Sequence, residues 1–245
     1  MPVISKTHLG LVRKNNEDSI LVRQPHLFAL ADGMGGYAAG EVASKKALQV
    51  LESQALNFAA LTGEDLLDAI RHAISRVNME VYELAASKKE YSGMGTTLTG
   101  VYLPGHGAAY VFNVGDSRLY LWRQDTLVQI TKDHSVVNEL VEKGEITPQE
   151  AFTHPEKNLL TKGIGVEKYV EADIFQIDVS AQDTLLLCSD GLSDMLRDKE
   201  IEAVLKGEDG LEARSEALME KALLNGGRDN ISFILIGLSD SQEVD

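Results

Sequence analysis

Cysteine and histidine are scarce in this sequence of 245 residues. Cys188 is the single cysteine, so an internal disulfide is excluded and a reducing compartment is expected. The six histidines form no close His-x-His or HExxH pair, which argues against a zinc site. A metal bound by this chain should therefore be held by oxygen ligands, which favour Mg²⁺ or Mn²⁺.

Long hydrophobic runs and an excess of basic residues are also missing. No apolar stretch approaches the roughly 20 residues that span a bilayer, and the N-terminus contains no hydrophobic signal-peptide core. We therefore expect a cytoplasmic protein with no membrane partner. The net charge is −15, which argues against nucleic acid as a partner because phosphate backbones are bound by basic surfaces.

A long amphipathic helix is the clearest element of the hydrophobic pattern. It runs from Glu64 to about Ser87, and Thr62 with Asp65 resembles a capping box at its start. Its apolar residues recur at alternating steps of three and four: Leu67, Ile70, Ile74, Val77, Val81 and Leu84. This face should pack against the core rather than bind a cofactor.

Blocks of predicted strands alternate with blocks of predicted helices along the rest of the chain. The predicted strands span residues 3–7, 19–23, 27–31, 96–103, 108–114, 118–123, 127–131, 172–178, 184–188 and 231–238. The other predicted helices span residues 40–56, 198–206 and 213–224, and the polar stretch 135–162 should form short helical pieces and loop. This arrangement favours the α+β class, with two antiparallel sheets and helices outside them.

Four aspartates lie where an apolar strand-like run meets a turn. Asp32, Asp116 and Asp190 each end such a run, and Asp229 begins one. Strands packed side by side would bring these acids together along one edge. Clustered carboxylates repel each other unless protons or cations neutralise them, so the pattern suggests a divalent-metal site. Ordinary turn chemistry or a helix cap is the alternative for each aspartate alone.

Two further motifs could contribute to the same site. Gly33 follows Asp32 in a glycine-rich turn, where a backbone carbonyl can itself bind a hard metal ion. Arg13 precedes Glu17 and Asp18 by four and five residues, so a guanidinium could hold a phosphate while the acids hold a metal or its waters. A plain glycine-rich turn and a solvated charged turn remain the alternatives.

Together these motifs resemble the metal-dependent Ser/Thr protein phosphatases of the PP2C (PPM) family, in its compact bacterial form. The matching segments, in family order, are RKNNED at 13–18, DGMGG at 32–36, GE at 40–41, GMGTTL at 93–98, GDSRLY at 115–120, ITKDHS at 130–135, SDGLSD at 189–194 and RDNIS at 228–232. The resemblance implies an αββα sandwich of two antiparallel sheets flanked by helices. A single domain would cover residues 1–240, with a flap at about 135–162, and residues 241–245 would form a flexible tail.

The resemblance also implies a centre with two Mn²⁺ or Mg²⁺ ions and a weaker third ion. Asp32 would bridge the two principal ions, and the Gly33 carbonyl would bind the second. Asp190 and Asp229 would bind the first.

Five further residues complete the site that the resemblance implies. Glu17 and Asp18 would hold metal-bound waters. Asp116 would join Asp190 at the third ion, with Asp194 nearby. Arg13 would hold the substrate phosphate and so act with Asp32 in catalysis.

The implied reaction is hydrolysis of phosphoserine or phosphothreonine in proteins by a metal-activated bridging water, without a covalent intermediate. The partners would be phosphorylated proteins, including a Hanks-type Ser/Thr kinase, and the protein would be a monomer. Met34 departs from the pattern, since eukaryotic members often have histidine there as a proposed general acid, and methionine cannot donate a proton. Lys162 stands where relatives often have arginine.

Three alternatives remain at this point. The chain could be a broad phosphomonoesterase, or a phosphatase dedicated to one anti-sigma-antagonist-type regulator, because the motifs specify the centre and not the substrate. It could also be a non-catalytic metal-binding signalling module. That third reading predicts the loss of a core ligand, whereas Asp32, Asp190 and Asp229 are all present.

Overall fold

The computed structural model describes residues 1–36, 39–105, 107–207 and 210–239. Within these ranges the strands are β1 (Val3–His8), β2 (Asp18–Arg23), β3 (Leu27–Met34), β4 (Gly95–Thr96), β5 (Leu98–Gly105), β6 (Ala108–Val114), β7 (Arg118–Arg123), β8 (Thr126–Gln129), β9 (Asp173–Asp178), β10 (Thr184–Cys188) and β11 (Ile231–Gly237). The α-helices are α1 (Ala39–Ala55), α2 (Gly63–Ser87), α3 (Val136–Glu142), α4 (Pro148–Thr153), α5 (Asp190–Ser193), α6 (Asp198–Gly207) and α7 (Gly210–Leu224).

The strands form two antiparallel sheets. One sheet has the order β1-β11-β10-β7-β8, and the other has the order β2-β3-β5-β6-β9, with β4 paired to the end of β3. The N-terminal strand and the C-terminal strand are neighbours in the first sheet, from Val3 opposite Ile236 to His8 opposite Ile231. The two ends of the chain therefore contribute to one sheet.

Three apolar layers show that helices cover both outer faces of the paired sheets. The central layer, which includes Phe28, Val111 and Ile234, draws its residues from strands of both sheets. A second layer packs α1 and α2 against the sheet that contains β3, and a third packs α6 and α7 against the other sheet. Side chains alternate along β3, since Phe28 faces the central layer while Ala29 faces the helices. The predicted αββα sandwich is confirmed.

Several predicted boundaries differ from the structure, for tertiary reasons. Strand β3 does not end before Asp32 but continues to Met34, because Gly33 and Met34 pair with β4. The strand predicted at 96–103 is divided into β4 and β5. The helix α2 begins as predicted, but the Thr62 side chain makes no capping hydrogen bond. The predicted tail at 241–245 lies outside the described residues.

A capping box is present at the start of α4, within the polar stretch 135–162. The Thr147 hydroxyl accepts from the Glu150 amide, and the Glu150 carboxylate accepts from the Thr147 amide, so α4 has both reciprocal bonds at its start. The prediction of short helical pieces joined by loop is confirmed for this segment by α3 and α4.

Candidate metal centre

An acidic cleft of about 600 Å³ opens at one end of the sandwich. Seven of the predicted site residues line it: Arg13, Glu17, Asp32, Gly33, Asp116, Asp190 and Asp229. A neighbouring cleft of about 460 Å³ shares Asp116 and Asp190 with it and is also lined by Asp194. We call these the acidic cleft and the side cleft. The fold thus gathers residues that are more than 200 positions apart in sequence.

Asp18 is buried and is not among the lining residues of either cleft. It stands directly opposite Asp32 in the register of β2 and β3, so two carboxylates occupy one cross-strand pair. Like charges in such a pair are destabilising, and the site therefore needs a proton or a cation. The Ser189 hydroxyl donates to Oδ2 of Asp18 at 2.9 Å, while Oδ1 is buried without a partner.

Two threonines fix the backbone of Asp32. The Asp32 amide donates to the Thr97 hydroxyl at 2.9 Å, and the Asp32 carbonyl accepts from the Thr96 hydroxyl at 2.8 Å and from the Thr97 amide at 2.9 Å. Thr97 also shares a hydrogen bond with the Ser117 hydroxyl at 2.8 Å. The turn after Gly95 therefore holds Asp32 in register with the loop that carries Asp116. The matched GMGTTL segment was the only sequence signal for this role.

Asn230 anchors the N-terminal loop beside Asp229. Its Oδ1 accepts from the Glu17 amide at 2.9 Å, and its Nδ2 donates to the carbonyls of Leu9 and Asn15 at 2.9 and 3.0 Å. These three hydrogen bonds join the buried Asn230 side chain to the loop that carries Arg13 and Glu17. In the sequence, Asn230 is marked only by its place in the matched RDNIS segment, because its partners are more than 210 residues away.

His134 connects the Asp116 loop to the end of the polar stretch 135–162. Its Nδ1 accepts from the Gly115 amide at 3.1 Å, and its own amide donates to the Gly115 carbonyl at 2.9 Å. Its carbonyl accepts from the Thr161 amide at 2.8 Å, and its Nε2 lies 3.2 Å from Oδ2 of Asp173. Burial lowers the pKa of this imidazole, which suits the neutral form that the Gly115 bond requires.

Burial and mutual repulsion raise the pKa values of the clustered acids. Burial raises the pKa of Asp18 to about 7, against the opposing hydrogen bonds from Ser232 and Ser189. Burial also raises the pKa of Asp190 to about 7, with the charges of neighbouring aspartates adding to the effect. The pKa of Asp32 lies well above its ordinary value because of burial and then the charge of Asp18.

The pKa values of two further acids of the cluster, Asp116 and Glu17, are also raised. Burial, followed by the charge of Asp190, raises the pKa of Asp116 well above its ordinary value. Burial raises the pKa of Glu17. Acids whose pKa values are raised by one another are stabilised by an added cation, so this cluster is suited to a divalent ion.

Cationic side chains already contact two of the predicted ligands. Arg13 donates from Nη2 to Oδ2 of Asp229 at 2.6 Å. Lys157, from the polar stretch 135–162, forms an ion pair with Asp194 at the edge of the side cleft. Within the described ranges, no three His, Cys, Asp or Glu side chains are already grouped around one point that could hold a metal ion.

The donor set nevertheless fits a hard divalent ion. Oδ1 of Asp18 and Oδ1 of Asp190 are buried without hydrogen-bond partners. A Cβ atom at Gly40 would lie 2.7 Å from Oε2 of Glu17 and 2.8 Å from the Gly33 carbonyl oxygen, so two predicted oxygen ligands approach one point. Oxygen donors with spare lone pairs are those that Mg²⁺ and Mn²⁺ prefer, and the residues that line the acidic cleft include no cysteine or histidine.

Comparisons with known proteins agree with this chemistry. A family model described as "Protein phosphatase 2C" matches residues 12–224. The serine/threonine phosphatase stp of Listeria innocua is 40% identical over 237 residues, which cover 94% of this chain and 93% of that protein.

Solved structures match over almost the whole chain. The serine/threonine phosphatase PstP/Ppp of Mycobacterium tuberculosis superposes with a TM-score of 0.90 at 37% identity, covering 97% of this chain and 98% of that chain. The catalytic domain of PstP in complex with two manganese ions superposes with a TM-score of 0.87 at 36% identity, covering 98% of both chains.

Among the described residues of our chain, no helix is long and apolar enough to cross a membrane.

Proposed function

Because this chain belongs to the protein phosphatase 2C family and is a metal-dependent serine/threonine phosphatase, we propose that its acidic cleft is the catalytic centre. The observation that carries the proposal is the convergence of Glu17, Asp32, Asp116, Asp190 and Asp229 on one cleft. The cofactor of the family is Mn²⁺ or Mg²⁺.

The acids divide into groups with different tasks. Asp32 would contact both principal ions, with Asp190 and Asp229 completing the first and the Gly33 carbonyl the second. Glu17 and Asp18 would orient the waters of the ions through hydrogen bonds. Bound divalent ions supply Lewis-acid chemistry, which lowers the pKa of water and neutralises charge on phosphoryl oxygens.

A weaker third position would lie between the two clefts. Asp116 and Asp190 line both clefts, and Asp194 lines the side cleft, so these carboxylates would hold the third ion. Lys157 now neutralises Asp194. An ion at this position would have to compete with that ammonium group.

Arg13 would orient the substrate phosphate at the mouth of the acidic cleft. Its side chain is 52% exposed, and Asp229 holds it over the acids. A planar guanidinium can donate to two phosphoryl oxygens at once and stabilises the charge that they develop during in-line displacement. No enzyme side chain needs to be phosphorylated in this scheme. Met34 lines the cleft but has no proton to donate, so the leaving serine or threonine oxygen would take its proton from water.

The protein acts on phosphorylated proteins. We propose further that residues 1–240 form one catalytic domain with residues 135–162 as its flap, that the enzyme is a cytoplasmic monomer, and that a Hanks-type Ser/Thr kinase is among its substrates.

Hydrolysis of a phosphothreonine peptide tests the proposed centre. With Mn²⁺ the wild-type enzyme should release phosphate, and EDTA should abolish this activity. Asp190→Asn should lower kcat/KM by about 100-fold or more, because it removes a charge shared by two ion positions. Asp68→Asn is the matched control, since Asp68 is an exposed acid on α2 that forms an ion pair with Arg71 and is not among the lining residues of either cleft. Full activity in Asp190→Asn, or activity in EDTA, would contradict the proposal.

A further inference from the structure

One wall of the acidic cleft exposes large apolar side chains. Val166 and Tyr169 both line the cleft, and they are 54% and 75% exposed. Single exposed apolar residues are common on protein surfaces and need no function. These two lie three residues apart beside the proposed catalytic centre.

A buried asparagine holds the loop that carries them. Asn78 of α2 accepts from the Gly165 amide at 2.8 Å and donates to the carbonyls of Glu167 and Lys168 at 3.0 and 3.1 Å. The loop is also fixed at its start, because Ile164 and Thr96 exchange backbone hydrogen bonds of 2.8 and 3.0 Å. Val166 is therefore presented to solvent by a loop with little freedom to bury it.

Met34 continues this apolar surface to the acids. A Cβ atom at Gly163 would lie 2.5 Å from Cε of Met34 and 3.0 Å from Cγ2 of Val166, and one at Gly95 would lie 3.1 and 2.8 Å from the same atoms. Both side chains thus lie over the same two glycines. Met34 is two residues after Asp32, so the surface begins at the proposed centre. We call Met34, Val166 and Tyr169 the apolar strip.

The charges beside the apolar strip are of both signs. Glu167 and Glu171 line the same wall, and so does Lys162. The Nζ of Lys162 donates to the Glu171 carbonyl at 3.2 Å and lies 3.9 Å from Asp173, and the Nζ of Lys168 lies 5.5 Å from the centre of the Tyr169 ring. A charged segment laid along this wall would meet charges of both signs, whereas an apolar one would cover exposed carbon.

We propose that the apolar strip is a subsite for an apolar residue next to the phosphorylated residue of the substrate. This inference rests on the proposed function of the acidic cleft. The occupant is a phosphorylated peptide segment, because a protein substrate whose phosphate reaches the acids must lay its flanking residues on the walls of the same cleft. An apolar flanking side chain buries carbon surface against Val166 and Tyr169, and an acidic one gains no such burial.

Matched phosphothreonine peptides test the subsite. They carry Leu, Ser or Asp immediately before or immediately after the phosphothreonine, and p-nitrophenyl phosphate serves as a phosphomonoester without flanking residues. The wild-type enzyme should prefer Leu to Asp on one of the two sides by about tenfold in kcat/KM, mostly through KM, which is the effect of covering part of two apolar side chains.

Variants of the strip separate recognition from chemistry. The double variant Val166→Ser/Tyr169→Ala removes the apolar surface, so it should reduce the preference for Leu over Asp to less than about twofold. Val166→Arg adds a positive charge, so it should shift the preference toward Asp. Val128→Ser is the matched control, since Val128 is 48% exposed on β8 and lines neither cleft. The double variant and the control should hydrolyse p-nitrophenyl phosphate like the wild type.

The outcomes distinguish this inference from the proposed function. Equal rates on Leu and Asp peptides by the wild-type enzyme, or an unchanged preference in the double variant, would overturn the subsite while normal p-nitrophenyl phosphate hydrolysis leaves the catalytic centre intact. Metal-independent hydrolysis of p-nitrophenyl phosphate would instead overturn the proposed centre.

Discussion

Arg13 donates a 2.6 Å hydrogen bond from its guanidinium to the carboxylate of Asp229. The two residues are 216 positions apart. Arg13 is predicted to bind the substrate phosphate, and Asp229 is predicted to bind a metal ion. Their contact would assemble the proposed phosphate-binding group and the proposed ion-binding group as one unit, in which Asp229 would face both Arg13 and a bound ion.

Removal of the guanidinium should impair substrate binding more than metal binding. Arg13→Ala should raise KM for a phosphothreonine peptide by about tenfold or more, because a charge-assisted bond to phosphate is lost. Its affinity for Mn²⁺ should be unchanged or higher, since Asp229 is released. Steady-state kinetics and calorimetric Mn²⁺ titration measure the two effects. The neighbouring Lys14→Ala is the control, and loss of Mn²⁺ binding in Arg13→Ala would contradict this division of roles.

The glycine-rich turn after Asp32 should tolerate substitution at one position and not at another. A Cβ atom at Gly33 would lie 2.2 Å from the Gly40 carbonyl oxygen, whereas one at Gly36 meets no atom of the described residues within 4 Å. Gly33→Ala should cost at least about 2 kcal/mol of stability, which lowers Tm by about 4–8 °C, and it should lower Mn²⁺-dependent activity by tenfold or more.

Gly36→Ala is the matched control in the same turn. It should leave both Tm and activity at wild-type values. Equal effects of the two substitutions, measured by thermal melts and peptide hydrolysis, would show that close backbone approach at Gly33 is not what this turn requires.

The stability of the EDTA-treated protein should fall as pH rises from about 4 to 7. The folded pKa values of Asp18 and Asp190 are about 7, against about 3.9 in an unfolded chain. Between these values the folded state binds protons that the unfolded state has lost, so the free energy of unfolding decreases with pH in that window and levels off above it.

Thermal melts at several pH values check this sign. In EDTA, Tm should be lower at pH 8 than at pH 5.5 by several degrees, and Asp190→Asn should flatten the slope while Asp68→Asn leaves it unchanged. Saturating Mn²⁺ should reverse the trend, since protons then compete with the ions for the carboxylates. A slope in EDTA that is the same in Asp190→Asn would rule out Asp190 as its source.

The ion pair between Lys157 and Asp194 should weaken binding of a third ion. Lys157→Gln removes the competing ammonium group, so the weakest Mn²⁺ binding event in calorimetry should tighten by about three- to tenfold, as expected for a partly buried pair. Lys143→Gln, which disrupts an exposed pair with Glu139 inside the same stretch 135–162, is the control. An unchanged third event would place the third ion away from Asp194.

The sequence predicted most of the sandwich because its elements have strong local patterns. The helix from Glu64 to Ser87 is an example, since its apolar spacing alone fixes its type and nearly its length. The continuation of β3 through Asp32 to Met34 was missed, because it depends on pairing with Gly95 and Thr96, which no local pattern reveals.

At the candidate site, too, residues with a local sequence signal were predicted, whereas contacts between residues far apart in sequence were missed. The acids were identified from their positions at strand ends and from the family motifs. The supporting contacts were not, since Asn78 reaches Glu167 across 89 residues and Asn230 reaches Glu17 across 213. A lone asparagine in a helix or turn gives no sequence signal for such a distant partner.

The number of Mn²⁺ ions bound per chain tests the central claim most directly. In calorimetric titration of the EDTA-treated, dialysed protein, the wild-type chain and the control Asp68→Asn should each bind two ions tightly. Asp32→Asn should lose tight binding of both, because Asp32 is proposed to contact both ions. Two tightly bound ions in Asp32→Asn, with unchanged affinity, would contradict the account.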